Sequence, residues 1–173
     1  MNLGIAGKTA IVTGASAGIG RAIAREFAET GVNLVLVARG AERLSETAKD
    51  IADRFGVEVL WVAADVGDSG EPDRVVASAV ERFGSVDIMV NNAGRACAGG
   101  IMAASEADWE EMTVTKLSAM RRFCRCRHSP HAPASLGAHR QYLVHRWNSS
   151  ELPTHGLACA QCSHQQSDAQ YRT

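Results

Sequence analysis

The stretch Thr13-Gly-Ala-Ser-Ala-Gly-Ile-Gly20 holds the residue types and spacing that most directly imply chemistry. Gly14 lets the chain turn sharply. Gly18 lets the backbone come close to a pyrophosphate. Gly20 lets a following helix pack tightly. If a helix begins at the end of the stretch, its unbonded N–H groups and its dipole favour phosphate charge, so Ser16, Gly18, Ile19 and Gly20 become candidates for phosphate contact. A glycine-rich turn with no ligand is the plain alternative. The phosphate reading makes the stricter demand, a strand before the loop and a helix after it.

The flanking sequence meets that demand. Residues 8–13 form a short β-branched run, and Ile19, Ile23 and Phe27 recur at helical spacing until Gly31. Residues 32–38 and 57–63 read as a second and a third strand. The helix between them spans 42–55, with Leu44 and Ile51 on one face. A third helix spans 72–83, with Pro72 suited to its first turn, and residues 86–90 form a fourth strand. Ser105 followed by Asp108 is a capping-box pattern that opens a fourth helix. Strands alternating with helices predict an α/β fold, a Rossmann-like doubly wound parallel sheet of right-handed βαβ units.

The chain has 173 residues and a formal net charge of −1, so charge gives no general case for nucleic acid or for an anionic membrane. No apolar run approaches a membrane span, and the N-terminal residues lack the apolar core of a signal peptide. The expectation is a cytoplasmic protein whose irregularly spaced cysteines are free thiols.

The loop is similar to that of the short-chain dehydrogenase/reductase family, because it reads Thr-Gly-x-x-x-Gly-x-Gly rather than Gly-x-Gly-x-x-Gly and lacks a P-loop Lys-Ser/Thr ending. Asn91-Asn-Ala-Gly94 after the fourth strand resembles the same family. So does Asp65-Val66 after the third, where that family holds the adenine ring. The resemblance covers residues 4–125 and implies an NAD(P)-dependent oxidoreductase. It makes Gly14, Asp65, Val66, Asn91, Ala93 and Gly94 cofactor-binding candidates. An acid at the end of the second strand would select NAD, whereas a base there accommodates the 2′-phosphate of NADP. Ala38-Arg39 stands there, so NADP is expected, with NAD as the alternative and a solvated surface arginine as the plain reading of Arg39.

The catalytic set that the resemblance implies is missing. That family's chemistry uses a Tyr with a Lys four residues later, a Ser after a fifth strand, and an Asn in the fourth helix. Tyr142 is followed by Arg146, and Tyr171 lies near the end of the sequence. Ser149-Ser150 has no apolar strand before it, and Lys116 takes the place of the Asn. Lys116 can serve as a proton donor or as an ordinary solvated helix lysine. No substrate is implied, and whether this chain is an enzyme stays open. An in-frame parent would be expected to form homo-oligomers.

Composition breaks near residue 125. There is no His, Gln or Tyr up to Phe123, and from Cys124 onward come all six His, five Gln and both Tyr. The sequence therefore divides into an incomplete nucleotide-binding domain, 1–125, and a tail, 126–173, that is disordered or frameshifted. A shifted frame accounts for the tail. Read one nucleotide later, the codons of Gly137-Ala-His-Arg-Gln-Tyr-Leu-Val-His145 permit Gly-Arg-Ile-Val-Asn-Ile-Ser-Ser, the missing strand and Ser pair. In that frame Leu157-Ala158 does not re-read as Tyr, nor Gln161-Cys162 as Lys. Two Cys/His groups offer metal ligands, one at Cys124, Cys126, His128 and His131, the other at His155, Cys159, Cys162 and His164. Their flanks lack the turns and small core of a zinc module, so no metal is expected. The other functional class is a non-catalytic dinucleotide-sensing or partner-binding protein with a His/Cys-rich tail.

Overall fold

The computed structural model describes residues 4–94, 103–126, 140–143 and 160–161. Strand β1 (Thr9–Thr13) leads into α1 (Gly18–Glu29), β2 (Asn33–Ala38) into α2 (Ala41–Phe55), and β3 (Val59–Ala63) into α3 (Glu71–Phe83). Strand β4 (Ile88–Asn91) is followed by α4 (Glu106–Thr113), a π-helical segment (Val114–Ser118) and α5 (Ala119–Cys126). The sheet has the order β3-β2-β1-β4, parallel throughout, with Ile11 opposite Val35 on one side and Met89 on the other. This is the doubly wound arrangement that the alternation of strands and helices predicts.

Side-chain alternation along the central strands builds two cores. Ala10, Val12, Leu34, Leu36, Ile88 and Val90 pack under α1 and α2, against Ala24, Leu44 and Ile51. Ile11, Val35, Val37 and Met89 point the other way and meet Val75, Ala79, Ala119 and Phe123 of α3 and α5. Both faces of β1 and β2 are therefore dry, which explains why these strands read as continuous apolar runs. The two longer helices end on left-handed glycines, α2 at Gly56 (φ 68°) and α3 at Gly84 (φ 78°), a conformation that glycine adopts without Cβ strain.

Three details depart from the sequence reading. The buried stripe of α1 is Gly20, Ala24 and Ala28 rather than Ile19, Ile23 and Phe27. Small residues bring the helix axis near the sheet, and Ile23 and Phe27 fill the flanks. The fourth helix is not continuous: the capping box forms as expected, with Ser105 Oγ accepting from the Asp108 N–H, but the backbone then widens into the π segment before α5. The third departure concerns the outer edge of β4, beside which the sequence shows no fifth strand. Two short strands continue the sheet there: β5 (Arg140–Leu143) pairs parallel with β4, Val90 opposite Tyr142, and β6 (Ala160–Gln161) pairs antiparallel with β5. A parallel ladder is made by backbone groups, and the unpaired edge of an apolar strand templates such a partner even without a long apolar run in it. Among the described residues no helix is long and apolar enough to cross a membrane.

Candidate functional site

A cavity of about 320 Å³ opens at the C-terminal ends of β1 to β4, where a doubly wound sheet reverses its strand order. One wall comes from the loop after β1 and the start of α2, with Gly14, Ser16, Arg39 and Arg43. Asp65 and Val66 follow β3, and Ala93 and Gly94 follow β4. Glu111 of α4 and Thr115 of the π segment complete the far wall.

The glycine loop is folded as its spacing requires. Gly14 has φ 69°, and its N–H donates to the Val37 carbonyl at 2.7 Å, tying the loop to β2. A Cβ on Gly20 would collide with the Gly14 carbonyl and with Asn92 Nδ2, so this glycine admits the loop and the end of β4, not only the sheet. Gly18 has φ 56°, and nothing lies where its Cβ would stand. Helix α1 starts after Ala17 with no side-chain cap, so its first-turn N–H groups keep the donor capacity that an anion uses. Ile19 is half-buried and is not among the residues that line the cavity.

Asn92 locks the loop to β4. Its Nδ2 donates to the Thr13 carbonyl at 2.9 Å, and Thr13 Oγ1 accepts from the N–H groups of both Asn92 and Ala93 at 3.0 Å. Thr13 Oγ1 in turn donates to the Val90 carbonyl. Asn91 is a different case. It is buried at the end of β4, is not among the residues lining the cavity, and its Nδ2 is a buried donor without a partner among the described residues. Such a donor costs about 1–3 kcal/mol until something accepts from it.

The charged groups gather at the mouth. Arg39 Nη1 lies 3.8 Å from Asp65 Oδ2 and 3.9 Å from Glu111 Oε1, so it spans the opening from β2 to α4. The Arg39 side chain is 71% exposed, and ion pairs this long and this wet contribute about 0.2–1 kcal/mol each. Asp65 is fixed from behind, because its Oδ1 accepts from the Gly67 N–H at 2.9 Å. Arg43 stands in the first turn of α2, whose N-cap, Gly40, brings no capping side chain. Lys116 packs against Gly94, one of the residues that line the cavity. A Cβ on Gly94 would overlap Lys116 Cε, so the lysine stem lies across that glycine, and burial holds its ammonium below the usual lysine value.

Gly14, Ser16, Arg39, Asp65, Val66, Ala93 and Gly94 are thus brought together, with Gly18 and Gly20 in the adjoining loop. Arg43, Glu111 and Thr115 were not marked by the sequence. A signal existed for them: Arg43 follows Arg39 by four residues into a predicted helix, and Glu111 and Thr115 are four apart on one helical face. Among the described residues no group of three or more Cys, His, Asp or Glu is placed to hold a metal. Cys126 donates its thiol to Asp73 at 3.0 Å instead. Ser149, Ser150, Tyr171, His128, His131, His155, Cys159, Cys162 and His164 lie outside the described residues.

Known proteins share this arrangement. A family model described as short chain dehydrogenase matches residues 8–127. A 3-oxoacyl-acyl-carrier-protein reductase of Staphylococcus aureus is 35% identical over 113 residues, which are 65% of this chain and 46% of that protein. The L-sorbose reductase of Gluconobacter frateurii, solved with NADPH and L-sorbose, aligns with a TM-score of 0.68 at 45% identity, over 72% of this chain and 48% of that one. A Burkholderia phymatum short-chain dehydrogenase/reductase solved with NAD aligns with a TM-score of 0.66 at 31% identity, over 72% and 44%. This chain spans less than half the length of each of these three relatives. With its Rossmann-like sheet, its glycine loop and a family match over more than half of its residues, the chain belongs to the short-chain dehydrogenase family.

Proposed function

We propose that this chain holds NADP(H) in preference to NAD(H), as the cofactor-binding part of a short-chain oxidoreductase. The observation that supports it best is the pair Arg39 and Arg43, which line one cavity at the uncapped start of α2, with no acid at the end of β2. A hydroxyl-selecting site would carry that acid. The other polar groups fit the rest of a dinucleotide: the glycine loop and the start of α1 suit the pyrophosphate, and Asp65, as an acceptor, and Val66 suit the adenine. When bound, the nicotinamide supplies or takes up a hydride. Arg39 and Arg43 neutralise the 2′-phosphate, and Gly18, with nothing where its Cβ would stand, leaves room for close backbone approach. Calorimetric titration tests this. The unaltered chain binds NADP(H) more tightly than NAD(H), and Arg39→Ala costs NADP(H) about 1.5–3 kcal/mol, the size of a lost charged hydrogen bond, while sparing NAD(H). Equal affinities in the unaltered chain defeat the reading.

We also propose that this form of the chain does not turn over. No Tyr carries a Lys four positions later, and Lys116 replaces the helix Asn of the family pattern. A panel of alcohols and ketones should give no sustained change in cofactor absorbance. Turnover that disappears in Lys116→Ala would make Lys116 the proton donor. A frameshift near residue 125 explains both the missing residues and the change of composition, and the coding DNA there decides it. The pairing of β5 with β4 favours a second reading, in which the tail is part of a working, non-catalytic nucleotide-sensing protein. An uninterrupted reading frame in the coding DNA would support that second reading.

A further inference from the structure

We infer that Glu111 sets the chain's selectivity for the 2′-phosphate by competing with that phosphate for Arg39. The inference rests on the reading of Arg39 given above and adds to it an acid from the opposite wall. Arg39 does not point free into the cavity: its guanidinium lies between Asp65 and Glu111, at 3.8 and 3.9 Å. The two acids have different duties. Asp65 is committed to the turn after β3 through the Gly67 N–H, so its position is fixed whatever Arg39 does. Glu111 belongs to α4, across the cavity, so its pairing with Arg39 bridges the mouth between two elements not adjacent in the chain.

Four charged side chains line the opening, Arg39 and Arg43 against Asp65 and Glu111, and their formal charges cancel. A 2′-phosphate brings up to two further negative charges into this balance. It must draw Arg39 away from a carboxylate, and it then sits near the carboxylate left behind. Arg43 has no ion pair among the described residues, so it offers a second cation that needs no such release. A long pair between half-exposed groups is weak, whereas a guanidinium–phosphate contact is short, charge-assisted and bidentate. The phosphate therefore wins, and Glu111 subtracts from its margin. A cofactor without the 2′-phosphate leaves the Arg39–Glu111 pair intact and pays nothing.

The test uses adenosine 2′,5′-bisphosphate and adenosine 5′-monophosphate as probes of this end of the cavity, titrated by calorimetry. The full chain, Glu111→Gln, Arg39→Ala and the double variant are compared. Glu111→Gln should tighten the bisphosphate by about two- to fivefold, the range of one exposed ion pair, and leave the monophosphate unchanged. In the Arg39→Ala background the gain should vanish. Unchanged or weaker bisphosphate binding in Glu111→Gln overturns the inference, and so does a gain that persists without Arg39. The underlying reading fails separately, and visibly: the unaltered chain would then bind the two probes alike, or Arg39→Ala would cost the bisphosphate nothing.

Discussion

The two walls of the cavity are held in different ways. The wall that carries Gly14, Ser16, Arg39 and Arg43 stands on β1, β2, α1 and α2, whose core residues include Val12, Leu36, Leu44 and Ile51, all without solvent exposure. The wall that carries Glu111 and Thr115 stands on α4, an eight-residue helix with no buried residue, and on the π segment, which has none either. Trp109 and Leu117 on that side are both exposed. What fixes the second wall lies at its ends: the Ser105–Asp108 capping box at the start, and Ala119, Phe123 and Cys126 of α5 at the finish. An element with few buried contacts opens at low free-energy cost. The glycine-loop wall is therefore set by core packing, and the wall facing it should open more easily. This agrees with the widened helical turn at Lys116, since π segments inside α-helices often mark functional positions.

The strongest challenge to that comparison is Phe123→Ala. Phe123 sits in the core with Ile11, Val35 and Val75, and is the largest anchor of the second wall. Truncating it should destabilise the chain by about 3–5 kcal/mol in urea unfolding, the usual cost of removing a buried phenyl ring. Hydrogen exchange should rise first across α4 and α5 and last in β1. An equal rise everywhere would mean that the two walls open as one unit.

Next in size is the glycine pair in the loop. Gly20→Ala forces a methyl group against the Gly14 carbonyl, which is backbone and cannot move aside, so a loss of about 1–3 kcal/mol is expected. Gly18→Ala meets no atom, and its cost is the left-handed backbone alone, about 1–2 kcal/mol. The two should also separate by function. Gly20→Ala lowers thermal stability more, and Gly18→Ala weakens dinucleotide binding at a smaller cost in melting temperature.

Ser105→Ala removes a smaller support. It deletes the hydroxyl that accepts from the Asp108 N–H, worth about 0.5–2 kcal/mol for an N-cap. If the second wall opens more easily, much of that loss shows as faster exchange in α4 with little change in the global midpoint. A full-sized shift of the midpoint would place α4 within the main cooperative unit.

The glycine loop was legible in the sequence because one residue type at one spacing carries each of its functions. Gly14 combines a positive φ with neighbours that crowd a Cβ, and Gly20 needs the absence of a Cβ, so glycine alone suits both. Strand alternation was legible for the same reason, since a sheet buried on both faces must be apolar throughout. The second wall was only partly legible. Ser105 and Asp108 announced the start of α4, but Glu111 and Thr115 are half-buried helical positions, and their meaning depends on which face turns to the cavity. The π segment shifts that face and has no residue signature of its own. Strand β5 was missed because its partner, not its own sequence, supplies the edge on which it forms. Asn91 and Asn92 are adjacent in the chain, yet Asn92 locks the loop while Asn91 holds a donor with no partner among the described residues. Only the end of β4 in three dimensions separates those roles.

The smallest predicted effect concerns the far anchor of the second wall. Cys126 Sγ donates to Asp73 Oδ1 at 3.0 Å and to the Arg122 carbonyl at 3.1 Å, tying α5 to α3. Burial, and after it the hydrogen bond and charge of Asp73, push the thiol up to about 12 from an ordinary value of 9.0. The folded chain thus prefers the protonated thiol. Its contribution to stability is fully present below about pH 9 and is lost as pH rises through the window from 9 towards 12. Because the thiolate is the nucleophile, Cys126 should be slow to alkylate in the folded chain at pH 8. Peptide mapping after brief iodoacetamide treatment should show Cys126 modified at least about tenfold more slowly than in the urea-unfolded chain, the direction expected of a buried thiol beside a carboxylate. Asp73→Asn removes the charge and leaves the burial, so it should restore part of the reactivity and not all of it. Full restoration would assign the protection to Asp73 alone, and no protection in the unaltered chain would show that α5 is not seated on α3 at all, which would remove the far support of the second wall.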